Sequence, residues 1–126
     1  MGRVILNLIT NAFHAVQERA SLAKASEDVK YKPTVGVTTK KVGEMIEIEV
    51  KDNGNGIPQK IIQRIFEPFF TTKPSGRGTG LGLSMSYDIV TKGHRGELKV
   101  ASKEGEGTTF TIILPGVKEK KKITNQ

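Results

Sequence analysis

The stretch TVGVTTKKVGEMIEIEVKDNGNG, residues 34–56, decides the fold. Val35, Val37 and Thr39, then Ile46, Ile48 and Val50, alternate with other residues on either side of Val42-Gly43-Glu44, so the stretch reads as a β-hairpin. Asp52 has the same parity as Ile46, Ile48 and Val50. A strand running on to it therefore aims a carboxylate at the buried layer. An unpaired buried carboxylate is costly, whereas a hydrogen bond to a charged acceptor contributes about 1.5–3 kcal/mol. Two partners are open to it on parity alone: a donor on a ligand, or the turn Asn53-Gly54-Asn55-Gly56, which an Asp commonly caps. Gly54 and Gly56 let backbone approach a flat ligand or take positive φ, and they equally suit a plain turn.

Upstream of the hairpin, Val4, Ile5, Leu8, Ile9, Ala12, Val16 and Ala20 recur at helical spacing, predicting an amphipathic helix from Arg3 to about Ala25. No Ser, Thr, Asp or Asn stands ahead of it as a cap, which is expected of a fragment truncated at its N-terminus. Downstream, Pro58 to Arg64 reads as a short helix with Pro in its first turn, followed by an aromatic knot of Phe66, Phe69 and Phe70. Thr71 to Gly80 reads as a loop. Leu83, Met85, Tyr87, Ile89 and Val90 restore helical spacing up to Gly93. Leu98 with Val100, and Phe110, Ile112 and Leu114, form two last strands around the turn Glu104 to Gly107. The order predicts an α/β (α+β) two-layer sandwich, its sheet mixed but mostly antiparallel and covered by helices on one face. The domain is expected over residues 1–116, with a basic, flexible tail over 117–126.

The bulk composition narrows the function classes. At 126 residues the chain fits one domain, and without cysteine it has neither disulfides nor thiol chemistry. No apolar run reaches the length of a membrane span and no signal peptide is visible, so the expected location is the cytoplasm, with any anchor elsewhere in a parent protein. A net charge of +7 invites a nucleic-acid reading. That reading fails on distribution, because Lys118, Lys120, Lys121 and Lys122 concentrate in the tail and no interleaved aromatics accompany them.

Two further constellations carry chemistry. Asn7, Asn11 and His14 fall in one stripe beside the apolar face of the first helix, where amide oxygens suit a hard ion such as Mg²⁺, although an exposed polar stripe is the commoner case. Gly78-Thr79-Gly80-Leu81-Gly82-Leu83-Ser84 runs from loop into helix, pointing backbone N–H groups toward an anion, or simply starting a helix tightly. It is neither a P-loop nor a dinucleotide fingerprint. Lys73 and Arg77 precede it, placed to neutralise phosphates if the loop closes, or merely solvated.

Taken in order, these segments resemble the histidine kinase catalytic domain of the GHKL ATPase superfamily over nearly the whole chain. Asn7 to Ala12 is similar to the N box, Asp52 to Gly56 to the G1 box, Phe66 to Phe70 to the F box, and Gly78 to Leu83 to the G2 box. Gly107-Thr108-Thr109-Phe110 resembles the closing strand. The resemblance implies an ATP site. In it Asp52 accepts from the adenine amino group, Gly54, Gly56 and Ile57 line the base, and Asn11 holds Mg²⁺ with Asn7 in support. Gly78, Gly80, Leu81, Gly82 and Leu83 form the phosphate side, with Lys73 and Arg77 nearby, and Phe69 and Phe70 anchor a lid. Thr108 adds a water-linked contact to adenine, and His14 sits beside phosphate.

The gyrase-type and Hsp90-type relatives carry a Glu one turn before the metal Asn, where this chain has Asn7. Amides do not abstract protons at neutral pH, so no general base for hydrolysis is evident and phosphoryl transfer to an external acceptor is expected. By resemblance the acceptor is a histidine on a separate dimerisation domain, with a response regulator downstream, and neither nucleic acid nor membrane touches this domain. The isolated chain lacks that histidine, and efficient autophosphorylation is not expected of it. A non-catalytic regulatory module and an anti-sigma-type serine kinase are the alternatives, less similar in their Phe69-Phe70-Thr71-Thr72-Lys73-Pro74 and glycine-rich segments.

Overall fold

The computed structural model describes residues 2–27, 30–68 and 82–116. Helix α1 (Gly2–Ala25) buries Val4, Leu8, Ala12 and Val16, four residues spaced by four, against the sheet. Lys24 in its last turn complements the helix dipole. Strands β1 (Val35–Val42) and β2 (Met45–Asp52) form the first hairpin. Strands β3 (Glu97–Lys103) and β4 (Gly107–Pro115) form the second. The two hairpins join through β2 and β4, giving the order β1-β2-β4-β3. The sheet, expected mostly antiparallel, is antiparallel at every pairing among the described residues.

Register places the inner face in rows. Val37, Val50, Phe110 and Val100 make one row, and Thr39, Ile48, Ile112 and Leu98 the next. The row at the end of the sheet is Val35, Asp52, Thr108 and Ser102. An apolar face thus ends in three polar side chains. Val50 and Ile112 are almost fully buried in one cluster with Val4 and Leu8, each such side chain contributing about 1.5–3 kcal/mol by leaving water.

Between the hairpins the chain departs from simple helices. The segment expected as a helix over Pro58–Arg64 winds through bonds from Ile61 N–H to Pro58 O, Arg64 to Ile61 and Glu67 to Arg64, each spanning three residues. Only Ile62–Arg64 forms a 3₁₀ turn. Buried Ile65 pins it to the core, while Phe66 packs on Tyr87 (5.1 Å between centroids) and edge-on to Phe110 (6.4 Å). Phe69 and Phe70 of the expected knot lie outside the described residues, as do the glycine-rich loop up to Leu81 and the tail. Helix α2 (Gly82–Asp88) widens into a π turn over Ile89–Gly93, so the helical pattern read up to Gly93 spans two geometries. Thr91 Oγ1 donates to the Tyr87 carbonyl (2.8 Å) at that transition.

Candidate functional site

Asp52 ends β2 on the inner face and is only 6% exposed. Its Oδ1 accepts the Gly54 N–H at 2.8 Å, so the carboxylate does cap its turn. Capping uses part of its capacity, since an ionised carboxylate offers about four lone-pair directions. Burial pushes its carboxyl above the ordinary carboxylate range, opposed by the backbone N–H groups of Gly54 and Thr108. Among the described residues no ion pair includes it.

Beside Asp52, buried Thr108 shares a 2.8 Å hydrogen bond with Ser102 Oγ. Ser102 Oγ also accepts the Ile57 N–H (2.7 Å) and lies 3.0 Å from Gly107 O. A serine hydroxyl has one hydrogen to give. When it goes to the Gly107 carbonyl, the Thr108 hydroxyl must be the donor in the Ser102–Thr108 pair. Ile57, half-buried on the core, is thereby tied to the same row as Asp52.

The glycines meet protein rather than open space. A Cβ on Gly54 would lie 2.7 Å from Ala15 Cβ and 2.8 Å from the Ala15 backbone. Gly56, at φ +80°, lies against the Lys103 carbonyl, with Gly105 N–H donating to Asn55 O (2.7 Å) alongside. The loop after Asp52 is therefore wedged between α1 and the β3–β4 turn.

On α1 one row at four-residue spacing organises the site: Asn7, Asn11, Ala15 and Arg19. Asn7 Nδ2 donates to Gly82 O (3.1 Å) and Ser86 Oγ (3.2 Å), fastening the start of α2. A carbonyl can only accept, so this contact orients the amide nitrogen toward α2. Ala15 touches Gly54, and Arg19 Nη1 donates to Asn53 O (2.9 Å) and Gly54 O (3.2 Å). Half-buried Asn11 lies between the two ends.

The structure thus brings Asp52, Gly54, Gly56, Ile57 and Thr108 together at one end of the row, and Asn7, Gly82 and Leu83 at the other. His14 is half-buried on the same helix. Phe69, Phe70, Lys73, Arg77, Gly78, Gly80 and Leu81 lie outside the described residues. The sequence reading missed Arg19, Ser86 and Ser102. Arg19 alone carried a signal, because it continues the spacing of Asn7 and Asn11.

The family model described as histidine kinase-, DNA gyrase B-, and HSP90-like ATPase matches residues 1–118. The chain belongs to this family. Among curated members of similar sequence, the two-component sensor PprA of Pseudomonas aeruginosa is 43% identical over 115 residues, 91% of this chain and 12% of that protein. Sensor kinase CckA of Brucella abortus is 39% identical over 122 residues, 95% of this chain and 13% of its own length. The chain therefore spans about an eighth of these relatives. The solved catalytic domain of histidine kinase ThkA superposes with a TM-score of 0.68 at 28% identity, over 89% of this chain and 64% of that one. Among the described residues of this ATPase-family chain, no helix is long and apolar enough to cross a membrane.

Proposed function

We propose that the chain is the ATP-binding catalytic domain of a two-component sensor histidine kinase, acting in the cytoplasm. Its phosphoryl acceptor is a histidine on a separate dimerisation domain, and a response regulator follows. The observation that carries the reading is Asp52: a carboxylate 6% exposed, without a cation partner among the described residues, at the end of the helix row that bears Asn7 and Asn11. The similarity to sensor kinases supplies the class.

The residues present fit an adenine nucleotide with Mg²⁺. A buried carboxylate oxygen that accepts hydrogen bonds is suited to the exocyclic amino group, while Gly54, Gly56 and Ile57 offer a flat wall and Thr108 a hydroxyl beside it. Asn11 would give an amide oxygen to Mg²⁺, a ligand such an ion accepts alongside phosphate oxygens and water. Asn7 supports Asn11 and holds α2, whose first residues Gly82 and Leu83 would lie on the phosphate side together with Gly78, Gly80 and Leu81. Lys73, Arg77 and His14 would neutralise or neighbour phosphate, and Phe69 and Phe70 would anchor a closing segment. Bound Mg-ATP would supply the γ-phosphoryl group, with the metal offsetting the negative charge on its oxygens. The chain contributes position and electrostatics, which phosphoryl transfer chiefly requires. Asn7 cannot serve as a general base, so water is not activated there and an external nucleophile is favoured.

The test mixes the chain with a histidine-bearing dimerisation domain and Mg-ATP, and looks for acid-labile phosphate. Phosphohistidine is the expected product. Measured ATP binding without any such product would leave a nucleotide-binding module and remove the kinase.

A further inference from the structure

The side chains around Arg19 stand outside the groups assigned to the nucleotide, yet they grip the loop that carries two of those groups. Arg19 Nη1 donates to the carbonyls of Asn53 (2.9 Å) and Gly54 (3.2 Å). Its guanidinium sits 4.6 Å from the centroid of the Tyr31 ring, an arrangement that attracts a cation to the ring face. The Tyr31 hydroxyl returns to the same Asn53, 3.1 Å from its carbonyl oxygen and 3.2 Å from Oδ1. The Asn53 carbonyl thus accepts from both Arg19 and Tyr31. Asn53 is laced further to the segment before β1, Oδ1 accepting the Thr34 N–H (2.8 Å) and Nδ2 donating to Lys32 O (2.8 Å).

Arg19 forms no ion pair among the described residues, so its charge is spent on backbone carbonyls and a ring face. That use is directional. Ala15, one turn earlier, stops Gly54 from approaching α1 any closer, while Arg19 pulls the same loop inward. A wall and a tether on one helix row fix the loop's distance in both senses. Asn11 stands one turn before the wall, so the same pair fixes the spacing between the Asp52 end and the Asn11 end. A ligand held by its base at one end and its phosphates at the other needs that spacing preset, because misplacement by about 1 Å can cost two orders of magnitude in a positioned reaction.

We propose that Arg19, braced by Tyr31, is a positioning residue that presets the Asn53–Gly56 loop for the nucleotide without touching it. The proposal rests on the nucleotide reading of Asp52. The experiment compares ADP affinity by calorimetry with ligand-free thermal melting for the wild-type chain, Arg19→Met, Arg19→Lys and Tyr31→Phe. Arg19→Met is expected to weaken ADP roughly tenfold, Arg19→Lys to recover part of that loss, and Tyr31→Phe to weaken ADP about two- to threefold, the lower end of what one neutral hydrogen bond contributes. In phosphoryl transfer to a histidine-bearing domain, Arg19→Met should raise KM for ATP and leave kcat near its wild-type value. Wild-type ADP affinity in Arg19→Met, even with a lowered melting temperature, would make Arg19 a structural brace only and overturn the proposal. If Arg19→Met does not fold, Tyr31→Phe decides, and unchanged affinity there overturns it equally. A wild-type chain that binds no ADP would instead remove the nucleotide reading itself.

Discussion

Asp52 on β2 and Thr108 on β4 are direct partners across the central strand pair, both 6% exposed at the polar end of an otherwise apolar face. The pairing explains how a small domain tolerates a buried carboxylate. Backbone N–H groups of Gly54 and Thr108 offset part of its desolvation, and the Ser102–Thr108 hydroxyl pair keeps the neighbouring ground polar. The offset is incomplete, since the carboxyl remains raised. A site that retains such a group holds some stability in reserve for a ligand.

Asp52→Asn should therefore separate stability from binding. The amide keeps an oxygen for the Gly54 N–H and removes a buried charge, so the ligand-free melting temperature is expected to stay level or rise. Adenine nucleotide affinity is expected to fall by roughly one to two orders of magnitude, the worth of a hydrogen bond to a charged acceptor. Calorimetry beside a melting curve reads both, and unchanged affinity would end the adenine role of Asp52.

The pH dependence follows with a definite sign. The folded carboxyl titrates above its unfolded value, so the folded state binds more protons in the window between them. Asp52 accordingly adds stability below that window and loses it as pH rises through the raised value. Nucleotide binding should run the opposite way, strengthening as the carboxylate ionises. Urea melts of wild type and Asp52→Asn across mildly acid pH should show a slope in the first that is missing from the second.

Much of this was legible in the sequence because it depends on period. Alternation around Val42-Gly43-Glu44 gave the hairpin its place, and the inward parity of Asp52 is borne out by its burial. What period cannot carry is which loops meet. Nothing local says that Gly54 abuts Ala15, that Gly56 lies against the Lys103 carbonyl, or that Ser102 joins Ile57 to Thr108. The 3₁₀ and π turns escaped for a related reason, being set by the packing of Ile65 and Phe66 and by the Thr91 hydroxyl rather than by propensity.

The two glycines of that loop make a packing prediction. Alanine at Gly54 places a Cβ within 3 Å of Ala15 atoms on α1, and alanine at Gly56 meets the Lys103 carbonyl in a backbone conformation at φ +80° that side chains disfavour. Each should cost about 1–3 kcal/mol, the usual range for overpacking. Gly36→Ala, with nothing within 4 Å of its new methyl, is the control and should melt near wild type apart from a small strand effect. Equal melting of all three would contradict the wedge.

Asn7→Ala removes two half-buried hydrogen bonds, to Gly82 O and Ser86 Oγ. At about 0.5–1.5 kcal/mol net for each, the domain should lose roughly 1–3 kcal/mol. The urea midpoint should drop with an unchanged slope. Because the loss falls on the start of α2, nucleotides bearing more phosphates should suffer more, ATP weakening further than adenosine.

Asn11→Ala asks a different question of the same row. Asn11 lies one turn from Asn7 and one turn from Ala15, half-buried between the two ends of the site. Among the described residues Asn7 makes two side-chain hydrogen bonds and Asn11 none, so the melting temperature should move less than in Asn7→Ala. For Mg²⁺, which draws its oxygens from phosphate, water and a few side chains, the loss should be specific. The gain in ATP affinity that Mg²⁺ confers on wild type should largely vanish in Asn11→Ala, while metal-free affinity stays close to wild type. ATP titrations with Mg²⁺ and with EDTA measure both, and a full Mg²⁺ effect persisting in the variant would take the metal away from Asn11.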